Sequence, residues 1–384
     1  MATYKEQNKL NVPHLRFPEF QGEWCINTLG NLTDGIGDGI HATPIYDDNG
    51  SYYFINGNNL SESGINISAV TKRVSKEEAY KNNAAILNNR TILLSINGTI
   101  GNIALYNNEP IMLGKSACYI NVFPHINKHY VYHYLQTNKC QTYFVSELTG
   151  TTIKNLSLQS VRNTRIGLPL IKEQNRIAKL FDDIDERIAT QSKLIEDLKK
   201  LKSAISESLF KDIKGDVVTL SEVCEIIKGK QINGEFLSDK GKYHVMNGGT
   251  EPSGYYSHYN VEANSISISE GGNSCGYVQF NTSPFWSGGH CYTIQEIADN
   301  VDNLYLYHFL KSKEDAIMKL RIGSGLPNIQ KKDLAMFKIK IPTVEQQKAI
   351  STFLTSLERK AEIEERIQNA MQKEKQYLLR QMFI

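Results

Sequence analysis

The sequence predicts an α+β architecture written twice. Two α/β heads are each followed by a long helix, and the two helices pair as an antiparallel coiled coil with pseudo-two-fold symmetry. Three observations predict it. The stretch "GLPLIKEQNRIAKLF" from Gly167 returns as "KIPTVEQQKAISTFL" from Lys340, pairing Pro169 with Pro342, Gln174 with Gln347 and Ile177 with Ile350 at one offset, 342 − 169 = 173. From Lys172 to Phe210, and again from Val344 to Met382, there is neither Pro nor Gly, while apolar residues recur at steps of four and three. Ahead of each such segment lie short β-type runs separated by Gly/Asn/Ser turns.

The heads come first in each copy. "ACYINV" lies over "HCYTIQ", placing Cys118 on Cys291 and Tyr119 on Tyr292. "LLSINGTIGNIALY" lies over "SISEGGNSCGYVQF", "VYHYLQT" over "LYHFLKS", and "GTTIKNLSLQ" over "GSGLPNIQKK". Thr28 matches Thr219 at the larger offset of 191, so the first copy carries about 18 extra residues around "GIHATPIYDDNGSYYFINGNNL". Strands are expected at Thr91–Ile96, Ala117–Val122, Ser265–Ser269 and Cys291–Gln295, and helices at Tyr130–Gln136 and Leu304–Leu310. The glycine-dense "DGIGDGIH" (Asp34–His41) lacks the G-x-G-x-x-G spacing of a dinucleotide loop and is expected to be a turn or loop. The resulting domains are a first head (1–168), a first helical spacer (169–212), a second head (213–340) and a second helical spacer (341–384).

Pro169 and Pro342 stand just before the helices, where a missing N–H costs little. Helices of about 38 residues would reach about 57 Å, longer than a globular head needs, so the two copies are expected to pair with each other. The expected seam is Ile177, Phe181, Ile184, Ile188, Ile195 and Leu198 in the first helix. In the second it is Ile350, Leu354 and Leu357, continuing less regularly through Ile363, Ile367 and Met371. Gln191 and Lys202 fall at apolar phases, so the seam is more mixed than a leucine zipper.

Composition bounds the function. A chain that is 40% hydrophobic and 22% charged buries a real core, and no apolar run approaches the length needed to cross a bilayer. The N-terminus shows no apolar signal region, and six cysteines without a CxxC pair read as reduced thiols, so a cytoplasmic location is expected. A net charge of +2 does not announce a nucleic-acid binder, so any such role must come from local clustering or a more basic partner.

Catalytic signatures are missing. No proline is followed by another, which excludes the Asn/Asp-Pro-Pro-aromatic tetrapeptide of amino-methyltransferases, and there is no GxxxxGK[ST] phosphate loop. His125, His129 and His133 are spaced i, i+4, i+8, but only His133 has a counterpart, His308, inside the matched "YH(Y/F)L" run. A shared packing position explains it better than a metal. No catalytic residue and no metal ligand is assigned.

Two heads, each closed by "GTTIKNL" or "GSGLPNI" and followed by an "LPx₄Q…I" or "IPx₄Q…I" helix, resemble the specificity subunit of type I restriction–modification systems. The leader "VPHLRFPEFQGEW" is similar to that of members from low-GC Gram-positive bacteria. The resemblance covers nearly the whole chain and rests on the order and duplication of its parts. It implies a non-catalytic subunit whose heads each read one half of a bipartite, asymmetric site on double-stranded DNA, with the helices fixing the spacer. It also implies two modification subunits, bringing S-adenosylmethionine to methylate adenine, and two restriction subunits bringing an ATP- and Mg²⁺-dependent motor and nuclease. No cofactor is implied on this chain. A coiled-coil adaptor binding only protein, and a self-sufficient DNA methyltransferase or nuclease, remain as rival classes.

The repeat sorts candidate DNA contacts. Positions alike in both heads, Gly150/Gly323, Asn155/Asn328 and Cys118/Cys291, serve the fold or the phosphates. Positions that differ within matched polar loops carry readout. In the first head these are Asp38, His41, Asn97, Thr99, Thr151, Thr152 and Lys154. In the second they are Lys228, Lys230, Gln231, Asn273, Ser274, Arg321 and Ser324. Lys and Arg suit guanine O6/N7, and Asn and Gln suit adenine N6/N7.

Overall fold

The computed structural model describes residues 11–150, 154–323, 325 and 327–384. The chain forms two compact units. One comprises the residues up to Ser192 together with Arg366–Ile384, and the other comprises Lys193–Glu365. Each unit therefore holds one head and a stretch of both long helices.

In the first unit the head is built on a four-stranded antiparallel sheet of β1 (Thr33–Asp38), β2 (Thr91–Ser95), β3 (Ile103–Leu105) and β4 (Ala117–Val122), in the order β1-β4-β2-β3. β2 is buried along its whole length because both faces are covered. Ile92 and Leu94 enter the core shared with helix α1 (Lys128–Leu135), while Leu93 enters a second core with Ile55, Leu60 and Leu113. The segment "DGIGDG", expected as a turn, is strand β1. Its Gly35 and Gly37 lie opposite Asn121 and Tyr119, and a Cβ at Gly37 would stand 2.6 Å from the Tyr119 hydroxyl. The glycines make room for that ring, so here they mark side-chain crowding rather than a bend.

Helix α2 (Asn138–Ser146) follows α1, and the first long helix, α3, runs Ile171–Asp212. The leader docks on its first turn. Arg16 forms a bidentate pair with the buried Glu173 at 2.7 and 2.8 Å, and the Leu15 N–H donates to Gln381 O.

The second unit repeats the plan with β5 (Glu225–Lys228), β6 (Ser265–Ser269), β7 (Val278–Asn281) and β8 (Cys291–Gln295) in the order β5-β8-β6-β7, followed by helix α4 (Asn303–Ser312) and the second long helix α5 (Val344–Met382). Each head carries a further three-stranded sheet with a parallel pair, Tyr53–Ile111 in one and Val245–Trp286 in the other.

The repeated proline segment has a common mechanical job. The buried Gln174 side chain accepts from the Asn127 N–H (3.0 Å) and donates back to Pro169 O (2.8 Å). Gln347 accepts from the Asp302 N–H (2.7 Å) and donates to Pro342 O (2.9 Å) and Asn300 O (3.0 Å). Asn127 and Asp302 are the N-caps of α1 and α4. One glutamine thus ties the start of each long helix to the start of its head's helix, satisfying backbone groups that burial would otherwise leave unpaired.

The two long helices run antiparallel within each unit. In the first, Asp185 pairs with Lys375 (2.7 Å) and Ser192 with Gln368. In the second, Lys199 pairs with Glu365 (2.6 Å) and Lys202 with Glu358 (2.8 Å). The polar residue noted at an apolar phase is thereby explained. Lys202 and its repeat counterpart Lys375 sit beside the facing helix, each matched by a carboxylate there.

Helix ends then lock the heads. Phe383 packs on Tyr130, Phe181 and Tyr134 (ring centroids 5.2, 5.7 and 5.9 Å), and Phe210 packs on Tyr305 and Phe309 (5.8 and 5.3 Å). Since 383 − 210 = 173, these are the same position in the two copies, each wedged against the head of the other copy.

Ile177, Phe181, Ile195 and Leu354 are buried, and Ile184, Ile188, Leu198, Ile350, Leu357 and Met371 partly so. Ile363 and Ile367 are not on the seam, being 45% and 43% exposed. The 173 offset carries Ile188 to Ala361 and Ile195 to Gln368, and Ala361 is buried where Ile363 is not. Following residue type rather than helical phase picked the wrong isoleucines.

Candidate nucleic-acid interface

Register decides which loops share an end of each sheet. In the first head Asp38 pairs with Cys118, Ala117 with Ser95, and Leu94 with Ile103. The end of β1, the start of β4, the end of β2 and the start of β3 therefore meet on one side. The loop 149–155 joins them through backbone bridges of Asn155 to Thr149 and Asn97, and through Leu156 N–H donating to Ile96 O (2.9 Å). Asp38, His41, Asn97, Thr99, Lys154 and Asn155 are thus gathered at that end. His41 Nε2 lies 2.7 Å from Asp38 Oδ2, the Thr99 hydroxyl 3.2 Å from that of Ser95, and the Asn97 amide donates to Lys115 O (3.5 Å). Thr151 and Thr152 lie outside the described residues.

The second head repeats the construction. Lys228 pairs with Tyr292, Ser269 with Cys291, and Asn328 bridges Gly271 and Ile322. Lys228, Lys230, Gln231, Asn273, Ser274, Arg321 and Asn328 come to one end of the sheet, and Ser324 lies outside the described residues. Lys230 is anchored by its N–H to Ser287 O (2.8 Å), leaving its side chain exposed. Gly150 and Gly323 have φ of 89° and 94°, the left-handed conformation that turns each 149–155-type loop and explains why both copies keep glycine there.

Cys118 and Cys291 belong to the fold rather than to the phosphates, but they are not the same position. Cys118 faces the core shared with α1 as Tyr292 faces the core shared with α4, and Cys291 lies on the other face of its sheet, so the overlay of "ACYINV" on "HCYTIQ" is one residue out of register. Both are buried in β4 and β8, and burial pushes both thiols upward, Cys291 to about 11. Asn155 and Asn328 likewise close their loops through the backbone, each exchanging two bonds across a short bridge: 3.0 and 2.9 Å with Thr149, 2.8 and 3.0 Å with Ile322.

Two charged residues at the second head's end escaped the sequence reading, Glu270 and His290. Glu270 is 7% exposed, and its Oε1 takes hydrogen bonds from Lys228 (2.6 Å) and the Tyr292 hydroxyl (3.2 Å). His290 Nδ1 stands 3.7 Å from Oε2. The repeat contained the signal, because Glu270 occupies the position of Ile96 in the first head.

The histidine series lies elsewhere, against the helices. His125 stacks on Phe123, whereas His129 and His133 both contact Asp182 Oδ1, at 2.9 and 2.8 Å. Among the described residues no cluster of three His, Cys, Asp or Glu side chains is arranged to hold a metal ion, and no helix is long and apolar enough to cross a membrane. What the two sheet ends share, among the described residues, is a set of amides, hydroxyls and cations beside loops whose bases are closed by backbone bridges, suited to reading hydrogen-bonding edges.

The sequence profile of the type I restriction modification DNA specificity domain matches the chain twice, over residues 23–200 and 213–373. A type I restriction enzyme specificity subunit of Methanocaldococcus jannaschii is 25% identical over 99% of this chain and 96% of its own length. A chain named as a type I specificity subunit in Mycoplasma genitalium is 23% identical over 84% of this chain and 82% of its own. Among solved structures, the S subunit of a type I restriction–modification system from M. genitalium aligns over 97% of this chain and 99% of its own, with a TM-score of 0.67 at 20% identity.

Proposed function

The chain belongs to the type I restriction–modification DNA specificity family, and from that premise we propose that each head reads one half of a bipartite, asymmetric site on double-stranded DNA through the loops at one end of its four-stranded sheet. It is the non-catalytic specificity subunit, and its partners are DNA and the modification and restriction subunits. The observation that carries the reading is the contrast between shared frame and unshared loops. The two heads share strand order and register, yet differ at Asn97/Gly271, Thr99/Asn273 and Asp38/Lys228, all at the same sheet end.

Two modification subunits, one for each copy of the repeat, dock on the long helices in this reading. The apolar residues Leu194 (41% exposed) and Ile367 (43%), which are repeat counterparts, and Phe353 (47%) support it, because exposed apolar side chains on a helix favour covering by a partner. The helices set the unread spacer, and the complex works in the cytoplasm.

Exchange of the first head, up to Leu168, for that of a relative tests the reading. Sequencing of methylated adenines in a host carrying the chain and its modification partner is expected to show one half-site changed and the other intact. Change in both halves, or in neither, overturns it.

A further inference from the structure

Pairing register sets three positions of one sheet end against three of the other. Asp38 and Leu94 flank Cys118 in the first head as Lys228 and Ile268 flank Tyr292 in the second. The set is therefore Asp38, Ile96 and Cys118 in the first head, and Lys228, Glu270 and Tyr292 in the second. Cys118 is a small side chain buried in the core shared with α1, and Asp38 opposite it contacts His41. Tyr292 is buried at the same place in the second head, and its hydroxyl donates to Glu270 Oε1 (3.2 Å) or Ile329 O (3.0 Å). A tyrosine in place of the cysteine brings a buried hydroxyl that needs an acceptor, and the carboxylate that supplies it also faces the lysine.

The consequence falls on Lys228. Its ammonium donates to Glu270 Oε1 at 2.6 Å while about half of the side chain (52%) stays exposed. A free surface lysine is a flexible, strongly hydrated point charge suited to any phosphate. One with a hydrogen bond fixed to a buried carboxylate has its remaining N–H donors aimed in set directions, and much of its net charge is cancelled locally. Such a group is poor at gripping a polyanion and well suited to acceptors on one base edge, for which guanine O6 and N7 are the partners of lysine in the major groove. Among the described residues the buried Glu270 Oε2 has no hydrogen-bond partner, and His290 Nδ1 stands 3.7 Å away, so the carboxylate has capacity for a second donor, which His290 is placed to supply.

We propose that Glu270 is a positioning residue that orients Lys228 to read a guanine in the half-site of the second head, a device the first head lacks because Ile96 and Asp38 stand in its place. The proposal rests on the reading that this sheet end faces DNA.

The test uses the full complex with its modification subunits and the methylated-site sequence as readout, for E270Q, K228M and the double variant. E270Q and K228M are each expected to weaken the preference for guanine at the same single position of the second half-site, roughly tenfold to a hundredfold. The double variant should lose no more than K228M, and the first half-site should keep every letter, which a general loss of folding would not permit. E270D, which keeps the charge, should restore part of the preference. If E270Q keeps the guanine while K228M loses it, Glu270 does not position the lysine. If K228M weakens binding to all sequences alike and lowers the salt slope by about one, Lys228 grips phosphate and the proposal falls. Should E270Q not accumulate, K228M and E270D decide, and an unchanged site in both overturns the proposal. Exchange of the whole second head separates this from its premise. Letters that survive that exchange sink the DNA-facing reading itself, whereas letters that change on exchange but not in K228M sink only the Lys228–Glu270 assignment.

Discussion

The two heads bury the same histidine and treat it differently. His133 in α1 places Nε2 2.8 Å from Asp182, while His308 in α4 bonds Thr355 at 2.9 Å. The four residues correspond in the repeat, 355 − 182 being 173. In the first head burial lowers the histidine and the facing aspartate works against it; in the second, burial and the nearby Lys202 drive His308 down to about 4. The frame therefore conserves a buried imidazole and a hydrogen-bonding partner, and leaves the partner's charge free. The same division runs through the molecule, with aromatic wedges, glutamine ties and strand register held alike and charges varied.

The largest expected effect breaks or upholds the equivalence of the wedges. F383A and F210A each remove a buried ring that joins a helix end to a head, and each should cost about 3–5 kcal/mol. Hydrogen exchange should report the loss in α1 for F383A and in α4 for F210A. Loss of protection in the opposite helix, or in both equally, would contradict the separate wedge in each unit.

The histidines come next, and the sign follows from proton binding. The folded state holds His308 neutral down to about pH 4, whereas an unfolded histidine takes its proton near pH 6.5. Between those values the unfolded chain binds more protons, so stability falls as pH falls, by about 3 kcal/mol across the window. H308N should flatten that slope. T355D, which gives His308 the partner that His133 has, should shrink it. A slope in denaturant unfolding that is unchanged by H308N would remove His308 as its source.

Much of this plan was legible in the sequence, and the failures have physical causes. Four strand expectations fell on β2, β4, β6 and β8 because buried central strands are continuous apolar or alternating runs with sharp turn residues at their ends. Helices α3 and α5 were legible from phase and the lack of breakers. Strand β1 was missed because a glycine chosen to accommodate Tyr119 looks like a glycine chosen to turn. Ile363 and Ile367 misled because a seam can bury Ala361 and Lys375 while isoleucines face outward. The linked set Asp38/Ile96/Cys118 against Lys228/Glu270/Tyr292 was invisible because the matching "CY" dipeptides invite an overlay one residue out of the pairing register.

The interhelical lysines separate by burial. Lys375 is 4% exposed and pairs with Asp185, while Lys202 is 20% exposed and pairs with Glu358. Burial tends to raise the Glu358 carboxyl, yet Lys202 and the Tyr307 hydroxyl hold it below its ordinary value. The two carboxylates are equally exposed, 31% and 30%, so the difference lies in the packed stem that each lysine loses, and K375A should cost about 2–3 kcal/mol and K202A about 1–2 kcal/mol. Thermal unfolding that ranks them the other way would mean that the ion pair, and not the buried stem, sets the cost.

The smallest expected difference concerns the glutamine ties. Gln174 makes two hydrogen bonds with backbone groups and Gln347 makes three, the extra one being donation to Asn300 O at 3.0 Å. Replacement by leucine preserves bulk and removes every polar contact, leaving the N–H of Asn127 or of Asp302 and the proline carbonyl without their partners. Both variants should therefore lose stability, and Q347L should lose about 1 kcal/mol more than Q174L, the net worth of one further hydrogen bond. Glutamate distinguishes donor from acceptor function, because a carboxylate still accepts from the N-cap N–H but repels the carbonyls that the amide served. Q347E faces two such carbonyls and Q174E one, so the gap between the copies should widen with glutamate as pH rises through the carboxyl's titration. An equal cost for Q174E and Q347E at all pH values would show that acceptance from the N-cap N–H alone accounts for the glutamine in both copies, and that the bond to Asn300 is incidental.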